Sequence, residues 1–185
     1  FIDPKDPSSP SKILAGEQLR GNGGILINPL KGERFVNELD TRDKVTSAIF
    51  EQNVPGDKVL LILSDKGAEY NMDTVGFYQK RGLIKKIKIN EFFQDPKLKE
   101  KVVSELRSYS NLENDKFGRD LKMNLFDDDL DETSDIYVAE ITPILHYTMG
   151  GISINERGLI LDTKAKVINN GLYCAGEQSG GVHGK

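Results

Sequence analysis

The run ITPILHYTMGG at 141–151 restricts what this chain can fold into more than any other stretch. By composition it is an apolar strand, and it must break at Met149-Gly150-Gly151. Two adjacent glycines let the backbone bend sharply, and a backbone without Cβ atoms can lie close to a flat ligand. His146, one of only two histidines in the chain, stands just before the break. A scarce histidine at a strand end beside a glycine pair suits the rim of a binding site. The alternative is a histidine hydrogen-bonded inside a hairpin.

The elements around it follow from local pattern. ILAGEQLR at 13–20 is a short helical turn stopped by Gly21 and Gly23-Gly24. Residues 25–28 form an apolar strand, and a turn at 29–33 returns through 34–36 as a hairpin. A helix from Arg42 to about Gln52 buries Val45 and Ile49. VLLIL at 59–63, unbroken in its apolar character, is a buried strand. A helix follows at 72–80, then LIKKIKI at 83–89 alternates as a half-exposed strand. Asp95-Pro96 opens a longer helix to about Ser108, with Leu98, Val102, Val103 and Leu106 on one stripe. The span 36–135 therefore reads as an α+β unit with its own small core, and 136–185 as β-rich.

Charge and composition narrow the function. Net charge is -4 but unevenly placed: 79–101 has eight Lys/Arg against three Asp/Glu, and 111–135 has nine acids against three bases. The basic stretch lacks interleaved aromatics and belongs to an acidic protein, so it reads as a solvated face and not as a nucleic-acid surface. FDDDLDETSD at 126–135 reads as a solvated connector, without the spacing of a calcium loop. No metal site is expected. No apolar run approaches the ~18 residues that span a bilayer, and FIDPKDPSSP has no secretory signal core. Cys174 stands alone, which rules out an internal disulfide and favours a reducing, intracellular compartment. A chain that starts on an apolar residue without Met suggests a piece of something longer.

Three places could hold chemistry. LYCAG running into GEQSGGVHG is an apolar strand followed by a glycine-rich loop, the arrangement by which α/β proteins approach a cofactor. Glu17 and Arg20, three apart, share one face of a helical turn; their plain reading is a surface ion pair worth at most about 1 kcal/mol. Arg42 opens a capped helix, where its plain reading is a solvated side chain.

Taken together, LAGEQLRGNGG, RFVNELDTRDKVTSAI, ITPILHYTMGG and GLYCAGEQSGGVHG resemble the fumarate reductase and succinate dehydrogenase flavoproteins, most closely the eukaryotic soluble fumarate reductases. The four segments fall in the family's order and span roughly the whole chain, with 52–135 matched loosely. The resemblance implies an α+β capping domain at 36–135 that closes over the substrate. Residues 1–35 and 136–185 would be pieces of the FAD-binding domain. The family's FAD glycine fingerprint would lie upstream and a carboxylate-gripping arginine just past Lys185. On that basis the isolated chain is expected to be inactive, to bind FAD weakly or not at all, and to need the remainder of the flavin domain as its partner.

Carried over by position, Arg42 matches the proton donor to fumarate, Glu17 and Arg20 match the relay that resupplies it, and His146 matches a substrate-carboxylate ligand. Tyr147 would lie against the flavin, and Glu177 would hydrogen-bond FAD hydroxyls. Gly16 departs from bacterial relatives that place a hydroxyl there for the substrate. The electron donor stays open among NADH, reduced flavin and a quinol. So do two other readings: a related flavoprotein acting on another unsaturated acid or on succinate, and a binding domain without chemistry.

The implied roles make chemical sense. Reducing the double bond of fumarate to give succinate needs a hydride on one carbon and a proton on the other, and reduced flavin supplies the hydride. An arginine of pKa near 13.8 is a poor acid in water, its deprotonation at pH 7 costing roughly 9 kcal/mol. Against a more basic carbanion in a dry closed site the objection fades. Its charge also attracts the dianionic substrate, and a nearby carboxylate such as Glu17 can reprotonate it.

Overall fold

The computed structural model describes residues 1–145 and 150–182, which divide into two compact units, Phe1–Ile144 and Leu145–Lys185.

The first unit is built on VLLIL. Strand β2 (Val59–Leu63) is buried at all five positions because it lies inside a four-stranded antiparallel sheet of order β1-β2-β4-β3. The partners are β1 (Ile25–Ile27), β3 (Lys85–Lys88) and β4 (Asp135–Ile141). Ile25 faces Ile62, Val59 faces Ile141, and Ile87 faces Ile136. Successive side chains of a strand point to opposite faces, so an unbroken apolar run demands cover on both. Leu26, Val59, Leu61, Leu63 and Ala139 pack on one side with Leu19, Val45, Ile49, Val75 and Tyr78. Ile25, Ile27, Leu60, Ile62 and Val138 pack on the other with Ile89, Val102, Leu106 and Tyr109. Helices thus cover both faces, unlike the many antiparallel sheets that leave one face to water.

The helices are α1 (Gln18–Gly21), α2 (Arg42–Glu51), α3 (Asp65–Tyr70), α4 (Met72–Lys80), α5 (Ile89–Phe92) and α6 (Pro96–Ser110). Asp95 caps α6 by accepting from the Leu98 N–H at 2.8 Å, with Pro96 at its first position. Helix α3 had no counterpart in the sequence reading. Ser64 caps it through the Gly67 N–H at 3.0 Å, and its six residues, one of them glycine, are too few for a helical period. The compact unit is wider than the 36–135 span, because β1 and β4 flank that span in sequence and complete its sheet. Its two ends also meet: the Ile2 N–H donates to the Glu140 carbonyl at 2.9 Å.

Three expectations are corrected. The hairpin after β1 forms but is shorter than its reading through 34–36: it closes with one bridge, Ile27 to Arg34, and the Asn28 N–H donates to the Glu33 carbonyl at 3.0 Å. In the run 141–151 strand β4 ends at Ile141 and the described residues 142–145 do not extend it, since Pro143 has no N–H to continue a ladder. In the second unit the apolar words at 152–154, 159–161 and 172–177 make isolated bridges (Ile154 to Ile160, Leu161 to Val167, Leu159 to Tyr173) and no extended strand. Ile168, Leu172 and Tyr173 remain exposed there.

Three lysines of the basic stretch pair with acids of the connector, one of them also with an acid of α3. Lys99 pairs with Glu132 at 2.6 Å, Lys86 with Asp65 at 2.7 Å and with Asp135 at 3.7 Å, and Lys88 with Asp135 at 3.8 Å. Lysines on edge strand β3 also discourage pairing with another chain. Phe126 and Leu130 anchor the acidic connector in the core. No described helix is long and apolar enough to cross a membrane.

Candidate active site

Glu17, Arg20 and Arg42 come together in the first unit. Helix α1 is a single turn held by Leu19, which is completely buried. After it the chain doubles back tightly, with the Gly24 N–H donating to the Leu19 carbonyl at 2.8 Å. A Cβ on Gly24 would stand 2.4 Å from that carbonyl oxygen, so the backbone contact requires glycine. The turn presents Glu17 and Arg20 side by side, as their spacing predicted. Glu17 Oε1 lies 3.9 Å from Arg20 Nη2 and 3.4 Å from Arg42 Nε. One carboxylate oxygen therefore stands between two guanidiniums.

Exposure grades along this trio. Arg20 keeps 17% of its side chain exposed, against 60% for Glu17 and 54% for Arg42. Arg20 is the anchored member: its Nη1 donates to the Glu38 carbonyl at 2.6 Å. Burial lowers its pKa, and repulsion from Arg119 and Arg42 adds to that, while attraction to Glu17 and Glu38 opposes it. Arg42 is the first residue of α2, where a cation meets the positive end of the helix dipole. Helix stability does not explain its position.

Below the trio lies a cluster the sequence reading missed. Glu38, with no exposed side-chain surface, accepts from Arg34 Nε at 2.9 Å, Arg34 Nη2 at 2.7 Å, Arg119 Nη1 at 2.8 Å and the Leu26 N–H at 3.0 Å. Arg34 Nη1 also reaches Asp115 Oδ1 at 2.5 Å. Two buried cations thus face two buried anions, and Tyr109 stacks against Arg34 with its ring centroid 4.3 Å from the guanidinium carbon. Asp115 and Arg119 belong to the acidic stretch 111–135, so that stretch is not uniformly solvated.

Burial pushes the Asp115 carboxyl upward, but hydrogen bonds from Arg34 and the Arg119 and Phe117 N–H groups outweigh it and hold it below the usual range. A depressed carboxylate stabilises the fold fully above its unfolded value of about 3.9 and loses that contribution as pH falls through the lower folded value. Urea unfolding from pH 5 to pH 2 is expected to show this loss, and Asp115→Asn to remove that part of the slope.

The remaining candidates lie in or beside the second unit. Glu177 is exposed on the short turn Gly176–Gln178. Gly151 is explained by the protein itself: a Cβ there would stand 2.5 Å from the Gln178 carbonyl oxygen, where 151–152 runs beside 178–180. A Cβ on Gly150, Gly176 or Gly181 would meet nothing within 4 Å. Gly176 and Gly181 have φ of +81° and +79°, so the turns themselves favour glycine there. His146 and Tyr147 lie outside the described residues. Among the described residues no three His, Cys, Asp or Glu side chains cluster as a metal site would require.

Comparison with known proteins agrees with the motifs. Residues 5–185 match the family described as FAD binding domain. Fumarate reductase 1 of Saccharomyces cerevisiae is 40% identical over 190 residues, covering 100% of this chain and 40% of that protein. Fumarate reductase of Schizosaccharomyces pombe is 37% identical over 190 residues, covering 100% of this chain and 36% of that protein. The chain thus spans well under half the length of these two relatives. Among solved structures, the open conformation of a flavocytochrome c3 fumarate reductase aligns with a TM-score of 0.68 at 34% identity, over 94% of this chain and 30% of that one. The chain belongs to the FAD binding domain family, as a relative of the fumarate reductase flavoproteins.

Proposed function

We propose that this chain delivers the proton in a flavin-dependent reduction of fumarate to succinate. Arg42 gives a proton to one substrate carbon, Glu17 restores it, and Arg20 passes the next proton to Glu17. When bound, reduced FAD supplies the hydride that reaches the other carbon, so the double bond takes up both electrons and one hydrogen from the flavin and the second hydrogen, as a proton, from Arg42. The observation that carries this reading is the Glu17 carboxylate oxygen set between two guanidiniums at 3.4 and 3.9 Å. A general acid and its supply must be within hydrogen-bonding reach or close to it, and such contacts tighten when substrate binds.

On this reading the capping role belongs to the unit Phe1–Ile144, which contains the 36–135 span. His146 donates to a substrate carboxylate, Tyr147 lies against the flavin, and Glu177 accepts from FAD hydroxyls. NADH is among the reductants to be offered to the flavin. The test is turnover of fumarate by the complete flavoprotein carrying this segment, with and without the Arg42 side chain. An unsaturated acid that turns over faster than fumarate moves the substrate assignment and leaves the proton route in place.

Gly16 offers a second check. A Cβ there would meet the Tyr78 hydroxyl at 3.6 Å, an ordinary contact, so Gly16→Ser is expected to fold. If the substrate lies over this turn, the added hydroxyl contributes one hydrogen bond, about 0.5–1.5 kcal/mol. The expected result is a KM for fumarate lowered by up to about tenfold, measured by steady-state kinetics.

A further inference from the structure

Arg20 is held from two sides, and both attachments lead to the same buried residue. Its guanidinium donates to the Glu38 carbonyl at 2.6 Å, and its own carbonyl accepts from Arg119 Nη2 at 3.1 Å. Arg119 Nη1 in turn donates to Glu38 Oε2 at 2.8 Å and to the Gly24 carbonyl at 2.8 Å. A closed ring results: Arg20 to the Glu38 main chain, the Glu38 carboxylate to Arg119, and Arg119 back to Arg20. One side chain, Arg119, thereby ties together the turn that carries Glu17, the loop leading into β1 and the residue on which the Arg20 guanidinium rests.

We propose that Arg119 is a positioning residue for the proton supply, fixing the Arg20 guanidinium against Glu17 without touching substrate or flavin. The inference rests on the Arg42–Glu17–Arg20 reading given above. Chemistry alone separates it from a purely structural role. Arg42 begins each cycle protonated, so the first hydride-and-proton addition to fumarate does not depend on Arg20. Every later turnover does, because Arg42 must be reprotonated through Glu17. A shift of Arg20 therefore slows resupply and spares the first event.

The test uses the complete flavoprotein with Arg119→Lys, which keeps the charge and loses the forked donor geometry. Stopped-flow oxidation of the pre-reduced flavin by fumarate reads the first turnover. Steady-state assay with excess viologen reductant reads the later ones. The expected result is a first turnover within about twofold of the parent and a steady-state kcat lower on the order of 10²-fold, the scale associated with a small misplacement. The KM for fumarate should be little changed, and the solvent isotope effect on kcat should rise. Equal slowing of both phases with a raised KM would make Arg119 a general structural residue and overturn the proposal, as would no change in either phase. Should Arg119→Lys fail to retain flavin, Asp115→Asn takes its place with the same readings, since Asp115 accepts from the Arg119 main-chain N–H at 3.1 Å. Arg42→Ala, run alongside, separates the two claims. If it keeps a normal first turnover, the underlying proton route fails. If it loses the first turnover while the Arg119 variant loses nothing, only the positioning role fails.

Discussion

Arg42→Ala in the complete flavoprotein is expected to lower the rate of fumarate reduction on the order of 10²–10⁴-fold, the range that a positioned general acid contributes. Fold stability should not suffer. The side chain is half exposed, its ion pair with Glu17 spans 3.4 Å, and exposed pairs of this kind contribute about 0–1 kcal/mol. Removing a cation from the first turn of α2 also relieves an unfavourable interaction with the helix dipole. Activity and stability are therefore expected to part company: a large loss of kcat, with a melting temperature unchanged or slightly raised. Reduction of the flavin by its donor should proceed normally, since no part of the proton route is used in that half-reaction. Arg42→Lys keeps a charge to attract the dianion but is expected to recover little turnover, because a shorter ammonium does not reproduce the reach or the geometry of the guanidinium. Near-normal turnover of Arg42→Ala would end the proton-donor assignment.

Glu38→Ala is expected to produce the largest loss of stability of any single change considered. It leaves Arg34 with Asp115 alone as a buried carboxylate, takes the carboxylate from the Arg119 guanidinium, and takes the acceptor from the Leu26 N–H. Removing one partner of a buried ion pair costs about 3–5 kcal/mol, and a stranded main-chain donor adds about 1–3 kcal/mol. The measurement is the urea midpoint of the complete protein at neutral pH. Glu38→Gln retains hydrogen-bond acceptance without the charge and should lose less. A midpoint unmoved by Glu38→Ala would mean that water or neighbouring groups replace the carboxylate at little cost.

How far these features could be read in the sequence depended on whether their signals were local. VLLIL was legible as a buried strand because five consecutive apolar residues admit few other readings, and α6 because Asp95-Pro96 starts it and its apolar residues recur at helical spacing. The sheet was not. Its pairings join 25–27 to 60–62 and 59–63 to 137–141, and hydropathy records which residues avoid water without naming their partners. The same limit explains the second unit, where apolar words were visible but the bridges they make were not. Glu17 and Arg20 were legible from their spacing, whereas the approach of Arg42 to Glu17 was implied only through the family resemblance. The ion cluster gave no sign at all. Charged residues in a loop such as ENDKFGRD look solvated, and only the assembled fold turns Asp115 and Arg119 inward.

The contact between Ile2 and Glu140 has a practical consequence. Residues 2 and 140, joined by one main-chain hydrogen bond of 2.9 Å, would serve as the two cut points of a transplantable cassette. Cut at those two points, it needs only a narrow gap in a recipient, such as a short surface turn of an unrelated host. Transplanted in that way, the arginine–glutamate–arginine trio would travel intact, and its acid–base behaviour could be studied apart from any redox centre.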